Sequence, residues 1–276
     1  MNVHPRTFVL YHGHCYDGFG AAWAAWTVLG ENAVYLPMQY GQPWPREITV
    51  WDDVYILDFS FPRSLLEDVW TVRTKIISRP DPGRVVLLDH HKTAAEDLAH
   101  LPFANFDLNK SGAVLAWEYW HPGEPVPFLL QYVQDRDLWQ FALPKSREIS
   151  AALRSYPFDF AVWDQLARQW DFGRLVLEGE IILRYQNQLV ETMGRNARLV
   201  SLAGHLVPVV NTPILISEMG DWLLEHYPHP FAATYFDRGD GVRQWSLRSR
   251  TFDVAALARR LGGGGHPRAA GFEEDL

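Results

Sequence analysis

The chain has 276 residues, 47% hydrophobic and 21% charged, which allows one large domain or two ordinary ones with a substantial core and excludes wholesale disorder. Its formal charge of −8, from 33 acidic and 25 basic residues, argues against a broad basic face for long nucleic acid. A short nucleotide in a pocket remains compatible, because a metal ion and a few arginines can neutralise its phosphates locally. The single cysteine, Cys15, excludes an intramolecular disulfide and fits a reducing compartment. No basic-then-apolar leader is evident, and no apolar run approaches the roughly 20 residues of a membrane span. The expected location is the cytoplasm, with no membrane partner.

Along the first half, short apolar runs alternate with helical patterns. Residues 8–11 (FVLY), 54–57 (VYIL), 75–78 (KIIS) and 85–88 (VVLL) read as buried strands. Residues 20–29, 62–73, 111–120 and 127–134 read as helices. Strand and helix in alternation predict a parallel sheet with helices on both faces, which binds its ligands where strands end. Residues 159–196 carry an amphipathic helical pattern suited to a connector, and a homodimer through that segment is compatible with it. Beyond it, strand patterns at 199–202, 206–210, 231–235 and 244–247 interleave with helical ones at 217–226 and 253–261. The expected class is therefore α/β: a parallel-sheet domain over 1–158, a helical connector over 159–196, and a smaller α/β domain over 197–276.

Polar residues follow three of the strand runs directly: His12 after Tyr11, Asp58 after Leu57, and Asp89-His90-His91 after Leu88. His12, Cys15 and Asp17 share one short segment, and Asp135 and Asp137 end a helical run. A lone Asp after a strand is usually a turn former, and a lone His a hydrogen-bonded packing residue. Three polar residues at the end of a buried strand demand another reason. Carboxylates and imidazoles converging on one sheet edge suit Mn²⁺, Zn²⁺ or Fe better than Mg²⁺. A carboxylate shared between two ions gives the geometry that handles phosphoryl groups. At the other end, Gly262–Gly265, His266 and Arg268 form a glycine-rich run with side-chain donors, which can turn backbone N–H groups toward an anion. Taken alone, the four glycines would be a linker or a helix C-cap.

These segments resemble the DHH–DHHA1 phosphoesterases, a superfamily that includes RecJ exonuclease, nanoRNases and pAp phosphatases, and cyclic-dinucleotide phosphodiesterases. VYILD ending at Asp58, VVLLDHH ending at His91, VQDRDLW ending at Trp139 and GGGGHPRAAGF ending at Phe272 follow the family's motif order over nearly the whole chain. The resemblance implies a divalent cofactor, Mn²⁺, as one or two ions. It makes Asp58 the bridging ligand, with Asp17, His90 and Asp135 on one ion and His12 on the other. Asp135 is preferred to Asp137 by alignment of the motif. His91 would face the scissile phosphate, and Asp89 would orient the histidines. Arg248, Gly263, Gly264, Gly265, His266 and Arg268 would hold the substrate.

The sequence departs from the pattern where the family carries an aspartate and this chain has Cys15. A thiolate there can ligate a soft ion; otherwise Cys15 is a small turn residue, with His14 as a substitute ligand. The implied activity is hydrolysis of short oligonucleotides. The alternatives are pAp or cyclic-dinucleotide hydrolysis and, in another class, a nucleotide sensor with a degenerate site.

Overall fold

The computed structural model describes residues 6–75 and 83–276. They form two compact units that divide between Glu180 and Ile181. Ile76–Ser78 of the expected KIIS strand lie outside the described residues, and Lys75 ends a helix instead.

The first unit begins with β1 (Thr7–His12), α1 (Tyr16–Leu29), β2 (Ala33–Met38), β3 (Asp53–Leu57) and α2 (Arg63–Lys75). It continues through β4 (Val85–Asp89), α3 (Lys92–Leu98), β5 (Ala104–Phe106) and α4 (Gly112–Trp120). The helices α5 (Phe128–Asp137), α6 (Ser146–Leu153), α7 (Phe160–Arg168) and the long α8 (Phe172–Gly194) follow. The sheet order is β2-β1-β3-β4-β5, with every pair parallel.

Because side chains alternate along a strand, each strand supplies two cores. Val9, Tyr55, Leu57 and Leu88 pack toward Trp23 of α1, Trp117 of α4 and Leu129 of α5. Phe8, Leu10, Ile56 and Leu87 pack toward Leu66 of α2 and Leu98 of α3. The expected parallel sheet with helices on both faces is what forms. Two strands were not anticipated. β2 is an edge strand whose mostly half-exposed run, AVYLPM, includes a proline that only an edge tolerates. β5 spans three residues, too few to show a period.

Chain order places the switch of winding direction at β1, with β2 on one side and β3 on the other. Loops leaving β1 and β3 therefore diverge and open a crevice at the strands' carboxyl ends. Residues 159–196, expected as a connector, form α7 and α8; Trp163, Leu166 and Leu175 join the first unit's core.

The second unit, from Ile181, contains the end of α8, β6 (Arg198–Leu202), β7 (His205–Asn211), α9 (Ile216–His226), β8 (Ala232–Asp237) and β9 (Val242–Arg248). It ends with α10 (Val254–Arg260), β10 (Gly264–His266) and β11 (Ala269–Asp275). Its sheet, β10-β11-β9-β8-β7-β6, is antiparallel except for the β7–β8 pair. No helix among the described residues is long and apolar enough to cross a membrane.

The glycine-rich tail is a hairpin rather than a loop cradle. Gly262, at φ 83°, follows the C-cap of α10 in the left-handed conformation that favours glycine. Gly264–His266 then pair with Ala269–Gly271. A Cβ at Gly263 would stand 1.9 Å from the Gly271 carbonyl oxygen, so glycine is what admits the neighbouring strand.

Candidate metal centre

His12 is the last residue of β1, Asp58 follows β3, and Asp89 is the last residue of β4, so adjacent parallel strands deliver all three to one edge. Asp58 has φ 61°, a left-handed conformation rare for a residue with a side chain, and its N–H is bonded to the Leu88 carbonyl at 2.9 Å. That backbone twist sets its carboxylate between two imidazoles: Oδ2 lies 3.4 Å from His12 Nδ1 and Oδ1 lies 3.2 Å from His90 Nε2.

His90 Nε2 also stands 3.6 Å from Asp17 Oδ2 and 3.6 Å from Asp137 Oδ2. Among the described residues of the first unit, His12–Cys15–Asp58 and Asp17–His90–Asp137 each bring donor atoms within 4.8 Å of one another, and a further group, Asp58–Asp89–His90–His91, overlaps both. Asp58 belongs to the first and touches His90 of the second. The groups therefore meet where Asp58 stands beside His90.

The electrostatics make the same point. Asp17, Asp58 and His90 are almost fully buried. Burial and the neighbouring charges of Asp58 and Asp137 push the Asp17 carboxyl well up. Burial opposes ionisation of Asp58 too, but the close imidazoles of His12 and His90 hold it well below the usual carboxylate range. Burial opposes protonation of His90, yet the close Asp58 carboxylate and the charges of Asp137 and Asp17 raise it to about 11. The Cys15 thiol is pushed well up by burial and then by Asp58, Asp137 and Asp17. So many buried acidic groups around so little positive charge is costly unless a cation joins them. Asp58 Oδ1 and His12 Nδ1 are buried without hydrogen-bond geometry to any partner, as metal-facing atoms would be. Mixed carboxylate, imidazole and thiol donors fit a transition-metal dication.

Asp17 is also fixed by α4. Its Oδ2 accepts from Gly112 N–H at 2.6 Å and its Oδ1 from Ala113 N–H at 3.0 Å. Ser111 caps that helix by accepting from Val114 N–H. Gly112 is obligatory for another reason: a Cβ there would lie 2.6 Å from Asp58 Cβ and 2.8 Å from its Oδ1. Gly18 likewise lets α1 approach β1, since its Cβ would fall 2.2 Å from the His12 carbonyl oxygen.

Asp89 sits beneath the histidines, fully buried. Its Oδ1 accepts from His90 N–H at 2.7 Å and His91 N–H at 3.2 Å, and lies 2.7 Å from His91 Nδ1. Asp89 thereby fixes the orientation of the His91 ring. Burial lowers the His91 pKa, but the charge and hydrogen bond of Asp89 outweigh it and the net shift is upward.

Asp135 is a correction. Its carboxylate oxygens accept from Ala142 N–H at 2.9 Å and Leu143 N–H at 3.1 Å, and its carbonyl accepts from Gln140 and Phe141. It organises the turn after α5, and Asp137 is the residue beside His90. Residues two apart on a helix point to nearly opposite faces, so only one of the pair can reach the centre. His14 is exposed and belongs to neither ligand group.

Tyr40, which no sequence pattern singled out, also stands here. Its ring centroid is 5.4 Å from that of His12 and 6.1 Å from that of His91.

In the second unit, Arg248 ends β9 and donates from Nη2 to Ser217 Oγ at 2.9 Å. Gly220 of α9 leaves room for its side chain, since a Cβ there would lie 2.4 Å from Arg248 Cγ. Gly264, Gly265 and His266 form β10 at the edge of the sheet, with Gly263 just before it. Arg268 is exposed in the hairpin turn, which bonds from Ser249 N–H and Val254 N–H to the Arg268 and Pro267 carbonyls pin in place.

No family model matches the sequence. The uncharacterized protein R106 of Acanthamoeba polyphaga mimivirus is 29% identical over 288 residues, covering 96% of this chain. The chain spans 66% of that relative's length. Among solved structures, the pGpG-specific phosphodiesterase PggH of Vibrio cholerae superposes with a TM-score of 0.51 at 12% identity, over 98% of this chain and 94% of that one. RecJ of Thermus thermophilus, in complex with Mn²⁺, superposes with a TM-score of 0.50 at 18% identity, over 99% of this chain and 50% of that one. The chain shares the fold of these two proteins, as the resemblance of its motifs led us to expect.

Proposed function

We propose that the protein is a metal-dependent phosphoesterase that hydrolyses short oligonucleotides. The observation that carries this reading is Asp58, held by a left-handed backbone between His12 and His90, with Cys15, Asp17 and Asp137 completing two ligand groups around it. A divalent cation there, Mn²⁺ in our reading, supplies positive charge against phosphoryl oxygens and lowers the pKa of water.

The chain's own residues do the rest. Asp89 orients His91, which as an imidazolium gives a proton to the departing oxygen and is left neutral. Asp17 and the α4 N-terminus brace the carboxylate side of the centre. In the second unit, Arg248, His266, Arg268 and the glycines Gly263, Gly264 and Gly265 are the residues we assign to holding substrate. A net charge of −8 favours short substrates over long strands gripped by a basic face.

The test is release of mononucleotides from 5′-labelled RNAs of two to five residues with Mn²⁺, Co²⁺ or Zn²⁺, with pAp and cyclic dinucleotides in parallel. Mononucleotide release from the short RNAs is expected. Turnover of pAp or cyclic dinucleotides alone would move the substrate assignment, and no turnover of any of them would defeat the enzyme reading. Elemental analysis is expected to give close to two ions per chain. One ion per chain, unchanged in Cys15→Ser, would contradict the two-site arrangement.

A further inference from the structure

Tyr40 lies in the turn after β2, and that turn is built to hold it. Gly13 N–H donates to the Met38 carbonyl at 2.8 Å, and Gln39 Nε2 donates to the Gly13 carbonyl at 2.8 Å. The Gln42 side chain accepts from Gln39 N–H at 2.8 Å, and Gln42 N–H returns a bond to the Gln39 carbonyl at 3.2 Å. Gly41, at φ 84°, allows the reversal. The loop is thus tied to the residue that follows His12, and it delivers a large ring onto both His12 and His91. Both contacts are edge-to-face, with interplanar angles of 71° and 80°.

Packing does not account for this ring. Neighbouring Phe59, 6.4 Å away, is 1% exposed, whereas Tyr40 is 53% exposed. An aromatic surface left open beside a phosphate-handling centre has one common use, stacking of a nucleobase, because every base has a π-face and stacking tolerates any sequence.

We infer that Tyr40 forms a nucleobase subsite at the metal centre and stacks the base next to the reacting phosphate. The inference rests on reading the His12–Asp58–His90 cluster as a phosphate site. It deepens that reading by naming the residue that holds the base beside the reacting phosphate. Phenylalanine would preserve the subsite, and a side chain without a π-face would not.

The experiment measures equilibrium binding of a phosphorothioate-linked, 5′-phosphorylated dinucleotide and of the same backbone with both bases removed. Wild-type protein, Tyr40→Phe, Tyr40→Ala and Tyr40→Leu are compared, each with its melting temperature as a check on folding. Wild type and Tyr40→Phe are expected to bind the dinucleotide about tenfold or more tightly than the abasic backbone, the scale of one base–aromatic stack. Tyr40→Ala and Tyr40→Leu are expected to lose that preference while binding the abasic backbone unchanged. Equal preference in all four proteins, or no preference in wild type, would overturn the subsite. Because binding is measured without turnover, a Tyr40-dependent preference in a protein that hydrolyses nothing would defeat the phosphoesterase reading alone.

Discussion

Replacing Asp58 with alanine is expected to lower turnover by about a thousandfold or more, because the charge stabilisation of a metal-assisted step is worth several kcal/mol and each 1.36 kcal/mol is tenfold. Asp58 is the carboxylate that reaches both His12 and His90, at 3.4 and 3.2 Å, so its loss separates the two ligand groups. Alanine also removes a side chain suited to the left-handed conformation at φ 61°. The companion variant is therefore Asp58→Asn, since asparagine adopts that conformation more readily than most residues. Both variants are expected to lose turnover and bound metal, with Asp58→Asn keeping the wild-type melting temperature within a few degrees. Turnover of Asp58→Asn within tenfold of wild type would contradict a bridging role.

The second large effect is expected from a residue with no side chain. In Gly112→Ala the new methyl would lie 2.6 Å from Asp58 Cβ and 2.8 Å from Oδ1, inside contact distance of a buried group that cannot swing away. The same peptide donates to Asp17 at 2.6 Å, so a shift of α4 disturbs both carboxylates. Overpacking of this kind costs about 1–3 kcal/mol of stability. Displacement of the centre is expected to lower turnover by about a hundredfold, the order of loss that a 1 Å misplacement brings. Thermal melting and steady-state kinetics on the same preparation check both. A variant that melts lower but turns over normally would show that the close approach of α4 serves packing alone.

Much of this centre was legible along the chain because buried parallel strands advertise themselves. FVLY, VYIL and VVLL are short apolar runs, and the polar residue that ends each must sit at the sheet's carboxyl edge. His12, Asp58, Asp89, His90 and His91 were read in this way, and Cys15 and Asp17 lie in the same short segment as His12. The choice between Asp135 and Asp137 was not legible. Both close α5, and their separation is decided by which face of that helix meets the sheet. Tyr40 escaped because β2 is an edge strand with weak apolar patterning, so its following turn had no strand to be attached to. Gly112 escaped because a glycine in the first turn of a helix has many ordinary explanations until Asp58 is seen beside it.

The tail divides in the same manner. Gly262–Gly265, His266, Arg268 and Arg248 could be picked out as a group, but the glycines' structural work, a helix end and a close strand pair, depends on β11 folding back to lay Gly271 against them. What the sequence by itself determined about this protein is the α/β class, the strand ends that carry the donors, and the donor chemistry, since these follow from local periodicity and residue type. Only the tertiary structure decided which carboxylates face one another, which backbone twists to aim Asp58, and which aromatic stands over the histidines. Those are distances between segments far apart in the chain, and no local pattern encodes them.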